Sequence, residues 1–167
     1  MFATICYAAH MRKEALMVGG VIAGSLFLIV GLGLLGARPR KPITDVTTAC
    51  VNHGGLGMHI HPQLMIQIDG QNRAIPANVG VAPGCMRPIH THDDSGTLHL
   101  EFPSQQEVRL GEFFRLWEQP FTDTQVLDRA IGAGDVVRVT VNGAEVQERQ
   151  TLPLHDGDKI VLEVARK

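Results

Sequence analysis

Residues 88–102 read PIHTHDDSGTLHLEF, and this stretch predicts a β-hairpin. Apolar and polar residues alternate on both sides of DDSG, as in two half-buried strands joined by a tight turn. The residues expected to face the core are Ile89, Thr91, Leu98, Leu100 and Phe102. The residues expected to face outward are His90, His92, Thr97, His99 and Glu101. The turn places His99 opposite His90 and Thr97 opposite His92.

A second alternating segment runs from Met58 to Asp69 and predicts one half-buried strand. Its even-numbered and odd-numbered positions carry different types of residue, and we call each set a parity. The apolar parity holds Ile60, Leu64, Ile66 and Ile68, and the other holds His59, His61, Gln63, Met65 and Gln67. The dipeptide Asp69-Gly70 then predicts a hairpin turn into a short return strand.

The remaining elements predict an α+β fold. Residues 110–117 repeat apolar side chains at helical spacing, whereas residues 136–141 and 159–164 are typical of strands. The predicted class is one N-terminal transmembrane helix plus a small mixed β-sheet domain packed on one short helix. That domain is expected to be β-grasp-like, with the hairpin of residues 88–102 as an insertion.

Residues 15–37 contain no charged side chain and are almost all apolar or glycine. A helix of this length measures about 34 Å, which is enough to cross a hydrocarbon core of about 30 Å. We therefore expect a transmembrane signal anchor, and a cleaved signal peptide is the alternative. The expected organisation is a cytoplasmic N-terminus at 1–14, the anchor at 15–37, a linker at 38–57 and an extracytoplasmic α+β domain at 58–167.

The orientation of this anchor rests on conflicting signals. The basic residues Arg38, Arg40 and Lys41 follow the segment, and the positive-inside rule draws that side towards the cytoplasm. A signal anchor followed by a long domain nevertheless commonly exports the domain, and the cysteines and histidines suit an oxidising exterior. The expected location is the cell membrane, single-pass, with the domain on the extracytoplasmic (periplasmic) side.

The charge of the chain excludes one class of partner. Residues 42–167 hold ten basic and sixteen acidic side chains, a net charge of about −6. Binding to a phosphate backbone needs clustered lysine and arginine, so no nucleic-acid partner is expected. The expected contacts are the membrane, through residues 15–37, and possible membrane-protein partners.

Two His-x-His pairs predict a metal site. Residues i and i+2 of a strand point to the same side, so His59 and His61 share one face, as do His90 and His92. Imidazole nitrogens bind zinc and similar ions at about 2.0–2.1 Å, so neighbouring rings can share one ion. The predicted ligands are His90, His92 and His99, joined by His59 and His61 if their strands are neighbours. A solvated polar face, a pH-sensitive surface and a polar interface are the alternatives.

Further residues refine the predicted site. Asp93, Asp94 and Glu101 are candidate oxygen ligands or partners that orient the rings. Met58 and Met86 adjoin the histidine segments, and thioether sulfur favours copper, so copper is the first candidate ion and zinc the second. Filling gaps in the packing is the alternative role for both methionines.

Cys50 and Cys85 predict a disulfide, because an even pair in an oxidising compartment usually pairs. The bond would tether the segment before His59 to the segment that enters the 88–102 hairpin. Thiolate ligation of copper is the alternative role.

Four segments carry a resemblance: HIHPQL at 59–64, IPANVG at 75–80, PIHTHDDSGTLHLE at 88–101 and LGEFFRLW at 110–117. They resemble an uncharacterised family of membrane-anchored extracytoplasmic His-rich proteins of bacteria and archaea, with an HTHD-x-SG-x-x-H hairpin motif. The resemblance covers roughly residues 50–165 and implies a secreted, anchored single domain without an assigned activity. VTVNG at 139–143 and LHDGDKI at 154–160 also resemble the closing half of β-grasp (ubiquitin-like) domains.

The function expected from these features is binding of copper or zinc at the outer face of the membrane, for capture, buffering or delivery. A structural or accessory subunit of a larger membrane complex is the first alternative. A metal-dependent enzyme is the second, because His92-Asp93-Asp94 matches a His-x-Asp fragment of the two-His-one-carboxylate iron site. His99 lies too close in sequence for that arrangement, and other catalytic fingerprints are absent from the sequence.

Overall fold

The structure is a computed structural model, and it describes residues 41–167. Within this range a single helix, α1 (Leu110–Leu116), interrupts a series of strands. Before it come β1 (Met58–Ile60), β2 (Gln63–Ile68), β3 (Gln71–Arg73), β4 (Val81–Ala82), β5 (Cys85–Met86), β6 (Ile89–His90) and β7 (His99–Phe102). After it come β8 (Gln125–Val126), β9 (Arg129–Ala130), β10 (Asp135–Val141), β11 (Ala144–Val146) and β12 (Lys159–Arg166).

The predicted α+β class is wrong, because the described residues are mostly β-sheet with one short helix. The helical pattern of residues 110–117 does form α1, but Glu118 adopts a positive φ of 58° and Pro120 follows, so the helix ends after two turns. Elsewhere, short apolar runs alternate with turns such as Asp69-Gly70 and Asn142-Gly143, which return the chain into strand pairing.

The predicted transmembrane helix at 15–37 and the N-terminus at 1–14 lie outside the described residues. Among residues 41–167, no helix is long and apolar enough to cross a bilayer.

The larger sheet has five strands in the order β11-β10-β12-β2-β3. Strand β12 pairs parallel to β2 and antiparallel to β10, so the last strand of the chain lies at the centre of the sheet. Burial alternates along both central strands, as period-two patterning requires. The alternate residues that fill the core from these two strands are Leu64, Ile66, Ile68, Ile160, Leu162 and Val164.

The predicted strand 58–69 is divided at Pro62, and its two halves join different sheets. Strand β1 pairs with β7, whereas β2 pairs with β12 and β3. Proline has no N–H to donate to a ladder, and here its carbonyl instead accepts the N–H of Leu98. The predicted parity is confirmed across the break, since His59 and His61 are exposed while the apolar positions of β2 are buried.

The smaller sheet has three strands in the order β1-β7-β6. Ile60 and Ile89 lie on either side of Leu100, and this side of the sheet packs into the core. The turn before β7 is fixed against β2, because Leu64 N–H donates to Gly96 O at 2.8 Å. Gly96 has a φ of +81°, and a Cβ there would lie 2.3 Å from Leu64 O, so only glycine fits.

The predicted pairing of His90 with His99 is confirmed, but the pairing of Thr97 with His92 is not. Strand β6 ends at His90, and Thr97 bridges Gln63 instead. The close approach of Gly96 to β2 is the physical reason, because it draws the residues just before β7, including Thr97, away from His92.

The predicted disulfide between Cys50 and Cys85 is confirmed. It joins the segment before β1 to β5, and it closes a separation of 35 residues. Arg87, two residues further on, donates from Nη1 to the carbonyls of Thr48 and Ala49. Together these contacts hold the entry to β6 against the segment that leads into β1.

Replacing Cys50 and Cys85 by serine is expected to lower the free energy of unfolding by about 3–4 kcal/mol, because the unfolded chain regains the entropy of the open loop. The measurement is guanidinium unfolding of the full chain without reductant. Wild type treated with reductant serves as the control and should match the double variant. A C50S/C85S variant as stable as oxidised wild type would contradict the expectation.

Candidate metal centre

Five histidines converge on one face of the three-stranded sheet, and we call this set the histidine face. Its members are His59, His61, His90, His92 and His99. Strand β7 lies between the other two strands, with Glu101 opposite His59 and His99 opposite His90. The same register brings His61 beside His99, and their ring centroids are 4.7 Å apart. Strand pairing thus joins segments that are about 30 residues apart in the chain.

The nitrogens of the histidine face form two groups that share His99. In what we call the outer group, His59, His61 and His99 each place a nitrogen within 4.8 Å of the others. In the inner group, His90, His92 and His99 do the same. Each group therefore offers three imidazole donors, which is the number of protein ligands in many open metal sites. The predicted ligands are brought together, and both His-x-His pairs take part.

His90 is the most unusual member of the histidine face. Its side chain was predicted to face outward, but the residue is 0% exposed. Nδ1 lies 3.0 Å from the carbonyl oxygen of Arg87, which can only accept, so Nδ1 carries the proton and donates. The lone pair is therefore on Nε2, which is buried and has no hydrogen-bond partner among residues 41–167. Buried polar atoms without a partner are rare, and a metal ion is one of the few ligands that would satisfy this one.

The electrostatics of His90 and His99 favour the neutral form of these two rings. Burial lowers the pKa of His90 to about 4, so at neutral pH its Nε2 is unprotonated. Burial also lowers the pKa of His99, and the neighbouring His92 and His61 lower it further. Metal ligation requires a deprotonated imidazole nitrogen. Because burial lowers the pKa of His90 and His99, less free energy is needed to keep these two rings deprotonated at neutral pH.

Glu101 lies inside the site, although the alternation predicted it to face outward. Its side chain is 1% exposed, because β7 is the central strand of the sheet and His53 and His59 lie against the carboxylate. Oε1 lies 3.2 Å from His59 Nε2, and Oε2 lies 3.2 Å from His53 Nδ1. The approach of His53 lacks hydrogen-bond geometry, so Oε2 has no hydrogen-bond partner. Among the described residues, no lysine or arginine is paired with this carboxylate.

The other predicted ligands do not join either group. Asp93 accepts the N–H of Ser95 at 2.9 Å and shapes the turn, and hydrogen bonds from Ser95 lower the pKa of its carboxyl. Asp94 is exposed and lines a cavity of about 440 Å³ on the other side of the turn. Met58 is buried in the core, on the face of β1 opposite to His59, and Met86 pairs with Val81 in a separate two-stranded sheet.

Sequence reasoning missed two residues that border the outer group. His53 falls in the predicted linker, yet it lies against Glu101. Asp156 accepts the backbone N–H of His61 at 2.8 Å, and its carboxylate lies 3.8 Å from His61 Nδ1. Neither position belongs to an alternating segment, so strand periodicity carried no signal for them.

The charge of the ions decides how many the histidine face can hold. The two groups share His99, and a neutral imidazole has one lone pair for a metal, so two ions could not both bind this ring. Two divalent ions about 5 Å apart would also repel by about 13 kcal/mol at an effective dielectric constant of about 20. Glu101 is the buried carboxylate beside these histidines. The geometry therefore favours one divalent ion at a time.

No protein-family model, no curated protein and no solved structure matches this chain. The chemistry of the site consequently rests on its own residues, and the resemblance to a His-rich family stays a prediction.

Protonation of His90 is expected to make the metal-free protein less stable in acid. The unfolded ring takes up a proton near pH 6.5, whereas the native ring resists it until about pH 4. The unfolding free energy contributed by this residue is therefore full above pH 6.5 and falls as pH drops towards 4. Urea unfolding of the full chain with chelator, repeated from pH 7.5 to 4, is the measurement.

The matched variants are H90Q and H155Q, of which the second changes an exposed histidine outside the histidine face. H90Q should flatten the dependence of unfolding free energy on pH in this window more than H155Q does. Equal slopes in H90Q and wild type would show that His90 is not held neutral by burial.

Proposed function

We propose that this protein binds one divalent copper or zinc ion on the histidine face, for capture, buffering or delivery of the metal. The observation that carries the proposal is the buried, unpartnered Nε2 of His90 beside His92 and His99. An ion at that position gives this nitrogen its missing partner and draws on two further imidazoles.

A solvated polar face explains these features less well. A surface histidine keeps both ring nitrogens hydrated, whereas burying a polar atom without a partner costs about 1–3 kcal/mol. The hydrogen bond from His90 Nδ1 to the Arg87 carbonyl resembles the outer contact that fixes the tautomer of metal-ligating histidines. The fold thus holds His90 Nε2 in the orientation that a metal ligand needs, although leaving this atom without a partner is unfavourable.

The donor set supports divalent copper or zinc. Imidazole nitrogens suit zinc, copper, iron and nickel, and affinity along the first-row divalent series is highest at Cu²⁺. Thioether sulfur would favour Cu⁺, but neither methionine supplies it here. Met58 is buried in the core, and Met86 belongs to a separate two-stranded sheet. Nitrogens bound tetrahedrally at about 2.0–2.1 Å lie about 3.4 Å apart, and the nitrogens of each group lie within 4.8 Å of one another.

The proposal places this binding outside the cytoplasm. The disulfide between Cys50 and Cys85 supports it, because such bonds persist mainly in oxidising compartments. The uncharged segment 15–37 supports attachment to the membrane, and that attachment stays a prediction from the sequence.

Binding is favoured over catalysis and over a purely structural role. Four described cavities measure about 370–450 Å³, and none of these four is lined by a member of the histidine face. An accessory subunit would present a broad apolar surface. Within residues 41–167 the exposed large hydrophobic side chains are Met65 and Val81.

Replacing His99 by glutamine is expected to abolish tight binding, because His99 belongs to both groups. The full chain is loaded with Cu²⁺ or Zn²⁺, desalted and analysed for metal by mass spectrometry. Wild type and the H155Q control should retain close to one ion per chain, and H99Q should retain little. Equal metal content in H99Q and wild type, or none in wild type, would overturn the proposal.

Replacing Glu101 by glutamine is expected to weaken metal affinity while leaving the fold intact. The carboxylate is a buried negative charge that interacts electrostatically with His90 and His99 of the inner group as well as contacting His59. Even residues that only orient ligands contribute about 10–100-fold to metal affinity. Competition titration against a coloured chelator measures the affinity. The metal-free E101Q variant should be at least as stable as wild type, because a buried charge has been removed. Unchanged affinity would show that Glu101 does not help to hold the ion.

A further inference from the structure

The two groups of the histidine face differ in what their nitrogens already contact. In the outer group, His59 Nε2 lies 3.1 Å from His61 Nε2 and 3.2 Å from Glu101 Oε1. Binding an ion there means giving up these contacts. In the inner group, His90 Nε2 has no partner to give up. The net gain from binding is therefore larger at the inner group.

Their access to solvent also differs. The outer group has no buried member, and the side chains of His59 and His61 are 46% and 41% exposed. The inner group combines the exposed His92 with His90, which is fully buried. Asp156 stands beside His61 with its carboxylate exposed, and Glu101 lies behind His59. Negative charge at an accessible site raises the local concentration of cations and speeds their arrival. The outer group is therefore the better site of entry.

We infer that the two groups are successive stations for one ion, which enters at the outer group and is held at the inner group. This inference rests on the proposed function and adds a direction and a path to it. His99 is common to both groups, so it supplies a ligand throughout the transfer.

The transfer is a ligand exchange without a redox step. The bonds from the ion to His59 and His61 break as bonds to His90 and His92 form. The contacts of His59 Nε2 with His61 Nε2 and Glu101 Oε1 hold a proton, which is released to solvent when the ion binds the outer group and taken back when the ion moves on. The oxidation state of the metal does not change. After the exchange, His59 returns to its contacts with His61 and Glu101.

The repulsion between two ions limits the histidine face to one ion at a time. A second ion at the outer group would meet the positive charge of the first, so the outer station stays empty once the inner one is filled. One chain therefore carries one ion, and the vacated outer group is positioned to receive the ion again when it leaves.

The test compares two matched variants, H61Q and H92Q, each of which removes one exposed ligand from one group and spares the buried His90. The full chain is mixed with Cu²⁺ in a stopped-flow instrument. Equilibrium affinity is measured by chelator competition, and the electron paramagnetic resonance spectrum reports the ligand set. H155Q controls for the loss of a histidine elsewhere.

We expect H61Q to reach wild-type affinity and the wild-type spectrum, but to bind at least about tenfold more slowly. H92Q should bind at the wild-type rate, show a different spectrum and lose more than about 100-fold in affinity, since even outer contacts are worth about 10–100-fold. H155Q should match wild type throughout.

Three outcomes overturn the inference. If H61Q and H92Q lose affinity equally, the five rings form one site. If wild type takes up two ions per chain, the groups are independent. If H61Q binds as fast as wild type, the outer group is not the entry. The first and third outcomes leave the proposed function standing, and two ions per chain would contradict its one-ion stoichiometry but not metal binding. A wild type that binds no Cu²⁺ overturns the proposed function and the inference with it.

Discussion

The pairing of β7 between β1 and β6 is the constraint on which the rest of the site depends. This register sets His59 opposite Glu101 and His90 opposite His99. A shift of one residue in either pairing would turn the imidazoles towards the core and the apolar residues towards solvent. The sheet is held in register by its apolar side, where Leu100 lies between Ile60 and Ile89. Packing on the apolar face of the sheet thus fixes the positions of the imidazoles on the other face.

Burial gives this geometry its chemical character. A histidine that is exposed titrates and rotates freely, whereas His90 is enclosed, fixed in one tautomer by Arg87 and kept neutral. Glu101 is enclosed in the same way, and its two oxygens contact the imidazoles of His53 and His59. A buried lone pair and a buried carboxylate are each unfavourable in isolation, and a cation bound on this face makes both favourable. The disulfide and Arg87 support this arrangement by fixing the entry to β6.

Much of the site was predictable from strand alternation, because a period of two is a property of neighbours in the sequence. It placed His59 and His61 on the face opposite to the core, and the turn DDSG set His99 against His90. The burial of His90 and Glu101 was not predictable, because alternation says which side a residue faces but not what covers that side. The roles of His53 and Asp156 depend on loops that periodicity does not describe. The fold class was not predictable, because the helical spacing of residues 110–117 does not show that the helix ends after two turns.

The central claim is that His90 Nε2, His92 and His99 bind one ion together. Crystals of the full chain grown with Zn²⁺, with anomalous diffraction recorded on both sides of the zinc absorption edge, test it most directly. The account predicts one anomalous peak per chain at this face, about 2.0–2.1 Å from His90 Nε2. A loaded protein whose zinc lies elsewhere, with His90 Nε2 still unpartnered, would contradict it.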